Sequence, residues 1–168
     1  MMVKRFLKNE RGLTLIELLA VVVILGIIAA IAVPSIGGLI DNSKKDAHVA
    51  NAQQMINSAK IAVTGDKNLL PASGETFIIN LKYLEDNGYI ETLRDPDKTT
   101  NGYTKSTTAT GGKLSGAAPT NDSYVLVINT SNKLSYKVRL ANANRGITTA
   151  SEEDKLSRTS VENVTTTP

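Results

Sequence analysis

The stretch that decides the fold is "RGLTLIELLAVVVILG", Arg11 to Gly26. From Leu13 to Val33 almost every residue is apolar, and those 21 positions match the length of helix that crosses a hydrocarbon layer of about 30 Å. Glu17 stands near the start of the run. An ionised side chain at the centre of a spanning helix costs roughly 2.5 to 3.5 kcal/mol on insertion scales, so this carboxylate needs a compensating partner. Before the run come Lys4, Arg5, Lys8 and Arg11 against Glu10, a basic end that orients an export signal toward the cytoplasm. With those residues set aside, 15 of the 19 basic and 15 of the 16 acidic residues remain, so the formal charge of +3 belongs to the N-terminal segment and is no sign of a nucleic-acid-binding surface.

Three readings compete for this segment. Ala30-Ile31-Ala32 has the small-x-small spacing of a signal-peptidase site, but an ordinary secretory signal would not carry a carboxylate in its apolar region. A plain transmembrane anchor accounts for the length and leaves Gly12 and Glu17 as accidents. The third reading uses both. Gly12-Leu13-Thr14-Leu15-Ile16-Glu17, the apolar run and then Pro34 resemble the N-terminus of type IV pilins and related pseudopilins over roughly residues 4 to 40.

The resemblance implies a leader, residues 1–12, cut between Gly12 and Leu13 by a membrane-bound prepilin peptidase that also N-methylates Leu13. It implies that Glu17 pairs with the free amine of Leu13 in a neighbouring subunit while the apolar helices pack into a filament core. A buried charge left alone is far more costly than a paired one, so Glu17 would act as a register device during assembly.

Residues 13–34 are then the transmembrane and filament-core helix, and 35–64 an amphipathic continuation. Proline inside a helix removes a hydrogen bond and crowds the preceding turn, and Gly37 and Gly38 each weaken helix by about 0.8 to 1.0 kcal/mol relative to Ala, so Pro34, Gly37 and Gly38 predict a bend and a soft point. Val49, Ala52, Ile56, Ala59 and Val63 recur at spacings of three and four, one apolar stripe that Gly65 should cap. Residues 65–168 read as a small head. A strand is expected at 75–79, then a short helix through Leu81 and Leu84 closed by Asn87-Gly88, with a turn at Asp95-Pro96-Asp97. Residues 99–123, rich in Thr, Gly, Ser and Ala, read as an exposed polar loop. Leu134, Tyr136, Val138 and Leu140 alternate with Ser135, Lys137, Arg139 and Ala141, a half-buried strand whose antiparallel partner holds Tyr124, Leu126 and Ile128. Ile147 starts a further strand, Ser151 with Asp154 suits a short helix start, and the last residues should fray. The fold class is α+β: a long N-terminal helix whose apolar stripe is covered by a small antiparallel sheet.

Catalytic chemistry finds little to stand on. With no Cys and one His, a zinc cluster is improbable, and any Ser-His-Asp triad would need His48, which reads as a surface residue. Gly111-Gly112-Lys113 misses the phosphate-loop spacing. Ser151-Glu152-Glu153-Asp154 offers carboxylates for Ca²⁺, which some pseudopilin heads hold, although such a cluster is more commonly a helix start. Lys133, Lys137, Arg139 and Arg145 gather without intervening acid, which would suit an anionic partner such as nucleic acid, although a charged, solvated sheet face is the favoured reading.

The chain therefore reads as a structural subunit rather than an enzyme: a pilin that polymerises with copies of itself. The resemblance implies an assembly platform protein and a cytoplasmic ATPase as further partners, and passage from a single-pass membrane precursor to a surface filament in bacteria. The missing Cys departs from pilins that staple a C-terminal loop with a disulfide and weakly favours a Gram-positive host. A pseudopilin of a competence or type II secretion system is the alternative within the family. A membrane-anchored surface module that never polymerises is the alternative outside it.

Overall fold

The computed structural model describes residues 14–164. The Gly12/Leu13 junction and the expected fraying of 165–168 therefore lie outside the described residues. The order of elements is a helix α1 (Leu15–Gly65), strand β1 (Thr76–Asn80), a short helix α2 (Leu81–Asp86), and strands β2 (Gly111–Lys113), β3 (Tyr124–Thr130), β4 (Lys133–Ala141), β5 (Arg145–Glu152) and β6 (Glu162–Asn163). All strand pairs are antiparallel, in one sheet of order β2-β1-β3-β4-β5-β6. The α+β class expected from sequence is thus the one observed.

The residues divide into two compact units, one up to Ile40 and one from Asp41 onward. In the first, α1 is long and apolar enough to cross a membrane. Its large apolar side chains are exposed, from 46% at Val21 to 87% at Leu15. The helix is continuous through Pro34, Gly37 and Gly38 although Pro34 has no amide to donate, so the expected bend is not a break in this chain.

The second unit is built around the stripe read from sequence. Ala52, Met55, Ile56, Ala59, Ala62 and Val63 are buried against Ile79, Val125, Val127, Val138, Leu140 and Ile147 of the sheet. The hairpin register follows from its turn. Ser131 and Asn132 both take positive φ, 52° and 64°, the geometry that matches strand twist in a two-residue connection and pairs Thr130 with Lys133. β1 lies one residue beyond its expected span. Asn80 caps α2 by accepting from the Tyr83 amide, and Gly88, at φ 73°, lets the chain turn away.

Three expectations need correcting. The 99–123 segment is not simply an exposed loop: Gly111–Lys113 adds a strand beside β1, Tyr103 is buried and bridges to Asn142, and the following residues lie over Ile78 on the sheet's outer face. Glycines at 111 and 112 carry no strand propensity, and at Gly111 a Cβ would lie 2.9 Å from Leu69 and Tyr83, so close packing selects the residue that composition assigns to loop. Ser151 caps nothing, because β5 runs on to Glu152 and only a single 3₁₀ turn, Glu153–Lys155, follows. Gly65 remains inside α1 rather than forming a left-handed cap, and Asp66 caps the next turn, Lys67–Leu69.

Candidate functional site

Glu17 finds a partner within its own chain. Its Oε2 accepts from the Thr14 amide and from the Thr14 hydroxyl, each at 2.8 Å, and its own amide donates back to Thr14 Oγ1 at 3.3 Å. This is a capping box: the helix has amides with no carbonyl one turn earlier, and Thr and Glu three apart satisfy two of them reciprocally. The signal was present in the sequence as Thr14-Leu15-Ile16-Glu17, a Thr-x-x-Glu ahead of an apolar run. Both donated bonds fall on one carboxylate oxygen, Oε2. Leu13, its expected partner in a filament, lies outside the described residues, so that pairing is not tested by the structure. Gly37 and Gly38 sit in open helix, and a Cβ at either would meet nothing within 4 Å.

In the second unit the polar residues converge where the sequence predicted a surface. His48 is fully buried, contrary to expectation. It lies one residue before Val49 on α1, at the edge of the apolar stripe, and the segment between α2 and β2 covers it. Its Nδ1 lies 2.9 Å from the Tyr103 hydroxyl and its Nε2 lies 2.9 Å from Asp97 Oδ2. Tyr103 in turn accepts from the Asn51 side-chain amide at 2.9 Å. With the Tyr103 proton directed at Nδ1, one ring proton on Nε2 completes the chain of donors and acceptors. Burial raises the Tyr103 hydroxyl pKa far above its ordinary range. Asp97 also takes a two-pronged contact from Arg145, Nε to Oδ2 at 2.7 Å and Nη2 to Oδ1 at 2.6 Å, and Arg145 Nη1 reaches Asp41 on α1. The guanidinium holds the Asp97 carboxyl far below the usual range against the opposing effect of burial, and Asp97 raises the Arg145 pKa. Gly146 makes this placement possible: a Cβ there would sit 2.3 Å from the Leu140 carbonyl oxygen.

His48, Asp95 and Asp97 bring ligand atoms within 4.8 Å of one another, as a metal site does. The donor set does not suit a metal as it stands, because protein donors already occupy these oxygens. Arg145 takes both Asp97 oxygens, Asn142 Nδ2 donates to Asp95 Oδ1 at 2.8 Å, and Thr99 binds Asp95 Oδ2. The cluster is an internal ion-pair network fastening α1 to the sheet.

The two surface clusters read from sequence are also engaged. Arg145 belongs to the network above. Arg139 is buried and donates to the carbonyls of Thr148 and Asp122 at 2.8 and 2.6 Å. Lys137 pairs with Glu152 at 3.2 Å, and Lys133 alone of the four stands exposed in the hairpin end. The basic group thus does not form one face. Glu152 binds Lys137 and Lys155, and Glu153 binds Lys60 and Gln53.

The decisive likeness lies at the other end of the chain. Residues 7–33 match the family model for the prokaryotic N-terminal methylation motif. That motif is the class III signal peptide of type IV pilins and pseudopilins. Its match covers the segment that opens α1, and a long apolar helix followed by an antiparallel sheet is a pilin-like architecture, so the chain carries the N-terminal motif of type IV pilins and pseudopilins on a pilin-like fold. The motif and the apolar helix together support reading this end as a prepilin-type signal peptide and transmembrane helix. No curated protein and no solved structure matches the chain.

Proposed function

We propose that this pilin-like protein is a structural subunit of a type IV pilus or related filament. It is inserted as a single-pass precursor, cut between Gly12 and Leu13, N-methylated on Leu13, and polymerised through α1. The observation that carries this reading is the methylation motif at 7–33 running directly into a helix whose large apolar side chains from Leu15 to Ile40 are exposed within the chain. Such a surface is stable in lipid or against other copies, and unstable in water. Polymerisation exchanges one apolar surrounding for the other. Prepilin peptidase, a platform protein and an ATPase are the partners this route requires, and the filament is then extracellular.

The chain itself supplies packing rather than catalysis. The buried His48 supports this view, since its ring nitrogens and the facing carboxylate are committed to internal bonds. A pseudopilus of a secretion or competence system remains the second form of the same proposal; the sizeable head with its six-stranded sheet favours a surface pilus. Mass spectrometry of the mature N-terminus together with imaging of sheared surface material tests it. Methyl-Leu13 at the terminus and filaments lost on gene deletion are expected. A terminus at Val33, after Ala30-Ile31-Ala32, would establish an ordinary secretory signal instead.

A further inference from the structure

The segment between β2 and β3, with Ser106 and Thr110 before it, closes over the outer face of the sheet and leaves a cleft of about 230 Å³ against Ile78. Ile79, the next residue along β1, lies in the core with α1, so strand alternation puts the cleft on the side away from the helix. The walls are fixed by hydrogen bonds. Asn80 Nδ2 donates to the Thr108 carbonyl at 2.7 Å, and its Oδ1 accepts from the Thr110 amide at 3.0 Å. The Leu114 amide donates to the Thr76 carbonyl at 2.9 Å, and Lys113 Nζ reaches Glu75 at 2.6 Å. Arg139 holds the main-chain carbonyl of Asp122 at 2.6 Å. Inside this frame stand polar groups that the fold does not use. Among the described residues Asp122 is held only through its backbone and Thr110 through its amide and carbonyl, so neither side chain has a protein partner. The Ser106 hydroxyl accepts from the Thr108 amide at 3.4 Å and keeps its proton to give. Asp41, Asp46, Glu75, Asp97, Glu152 and Glu153 each meet an Arg or Lys. Asp122 is half-buried without one, even though Arg139 is near enough to bind its carbonyl and gives its other bond to the Thr148 carbonyl.

We propose that this cleft binds a single neutral sugar unit. Ionised Asp122 is an acceptor only, whereas the hydroxyls of Ser106 and Thr110 both donate and accept. Ile78, Leu114, Ala117 and Pro119 make the rest of the lining apolar. A sugar ring matches both halves: adjacent hydroxyls donate to a carboxylate and exchange bonds with side-chain hydroxyls, while its C–H face lies on an apolar wall. Charged ligands match less of it. An anion would meet Asp122, and Lys113, the cation at the rim, is taken by Glu75. A simple ammonium would use the carboxylate and leave the hydroxyl protons and the apolar wall without partners. The volume is smaller than the roughly 300 to 1,000 Å³ of sites for drug-sized ligands, so one ring fits rather than a length of oligosaccharide. The walls are held before any ligand arrives, which lowers the ordering cost of binding. No residue of α1 takes part, so the inference stands whether or not the chain polymerises.

The test is saturation-transfer NMR on the full-length chain in dodecylphosphocholine micelles, a detergent without a sugar headgroup. The probes are the methyl glycosides of glucose, galactose, mannose, N-acetylglucosamine and N-acetylgalactosamine, with methylammonium and acetate as charged comparisons. At least one glycoside should receive saturation from the chain. Asp122→Asn keeps the size of the side chain and the main-chain bond to Arg139 but loses the charge that accepts from sugar hydroxyls, and should weaken binding of that glycoside by about tenfold or more. Ala117→Trp, at an exposed position on the rim, fills the cleft and should abolish the transfer with the melting temperature unchanged, which decides the matter even if Asp122→Asn disturbs the fold. Lys133→Ala, exposed at the β3–β4 hairpin end, should bind as the unsubstituted chain does. Transfer to none of the glycosides would overturn the site. Transfer that persists in both Asp122→Asn and Ala117→Trp would place binding elsewhere on the chain and overturn it too. Stronger transfer to methylammonium or acetate than to every glycoside would overturn the choice of a neutral sugar.

Discussion

At the scale of single residues, Glu17 and Arg145 show the same physics in two surroundings: a charge in a poor solvent is kept by a partner of fixed geometry. Thr14 and Glu17 close the helix start, and replacing a capping hydroxyl typically costs about 0.5 to 2 kcal/mol. Thr14→Val should therefore fray the first turn of α1, seen as faster amide exchange at residues 14–18 in detergent micelles with the rest of the helix unaffected. Glu17→Val removes the desolvation cost of the carboxylate, so membrane levels should hold or rise, while filaments should be lost if the amine made at Leu13 depends on this carboxylate. Normal filaments from cells whose only subunit carries Glu17→Val would show that Glu17 serves the capping box alone. In the head, Asp97 and Arg145 are both nearly buried, and breaking such a pair by removing one partner costs about 3 to 5 kcal/mol. Arg145→Met should lower the melting temperature of the full chain markedly. The pH dependence has a definite sign. The folded-state pKa of Asp97 is depressed, so its stabilisation is complete above the ordinary carboxylate value near pH 4 and is lost as pH falls below that toward the folded value. Melting followed from pH 7 down to pH 2 should fall steeply at the acid end, and Asp97→Asn should be less stable at pH 7 with a flatter acid limb.

At the scale of elements, what the sequence disclosed depended on whether a pattern was local. The stripe on α1 and the β3–β4 hairpin were legible because periods of 3.6 and 2 are written in consecutive residues, and both are where periodicity placed them. β2 was not legible, since Gly111 and Gly112 become strand only because β1 offers an open edge and Leu69 with Tyr83 leaves no room for a Cβ. The burial of His48 is not legible locally for a related reason. Its position at the edge of the stripe is visible, but the Asp97 and Tyr103 that cover it come from a segment whose composition signals loop. The Thr14–Glu17 capping box, by contrast, is legible as Thr-x-x-Glu ahead of an apolar run. Pro34, Gly37 and Gly38 remain a prediction at this scale. The helix is continuous there, yet its weakest segment by propensity is this one, and Ala at 37 and 38 would fit without contact. Gly37→Ala with Gly38→Ala should slow amide exchange across residues 34–42 and, in filaments, reduce extension under load. Unbroken helix through this segment in a filament of the unsubstituted chain would remove the idea that it unwinds on assembly.

At the scale of the whole molecule, the two units answer to different solvents. The first, up to Ile40, exposes its apolar side chains, while the second has its own core and ion-pair network, so the chain as a whole cannot be at rest in water. On the proposed route, cleavage would decide which apolar surrounding it adopts. With residues 1–12 in place, Lys4, Arg5, Lys8 and Arg11 would keep the basic end of the segment at the cytoplasmic face, because moving several charges through hydrocarbon is prohibitive. Removing them would leave a single amine at Leu13, a charge small enough to be matched by one carboxylate. Gly12→Leu should block the cut, since a bulky residue replaces the glycine at the expected cleavage junction. The precursor should then accumulate in the membrane fraction at its uncut mass, with the head folded as before and no sheared filaments. An anchor that never polymerises predicts a different result: uncut and unsubstituted chains would be equally abundant, of equal mass, and equally displayed at the surface. Mass spectrometry of the membrane-bound chain separates the two outcomes in one measurement, and restoration of filaments by supplying the unsubstituted chain in the same cells would show that the block lies in processing rather than in a damaged assembly machine.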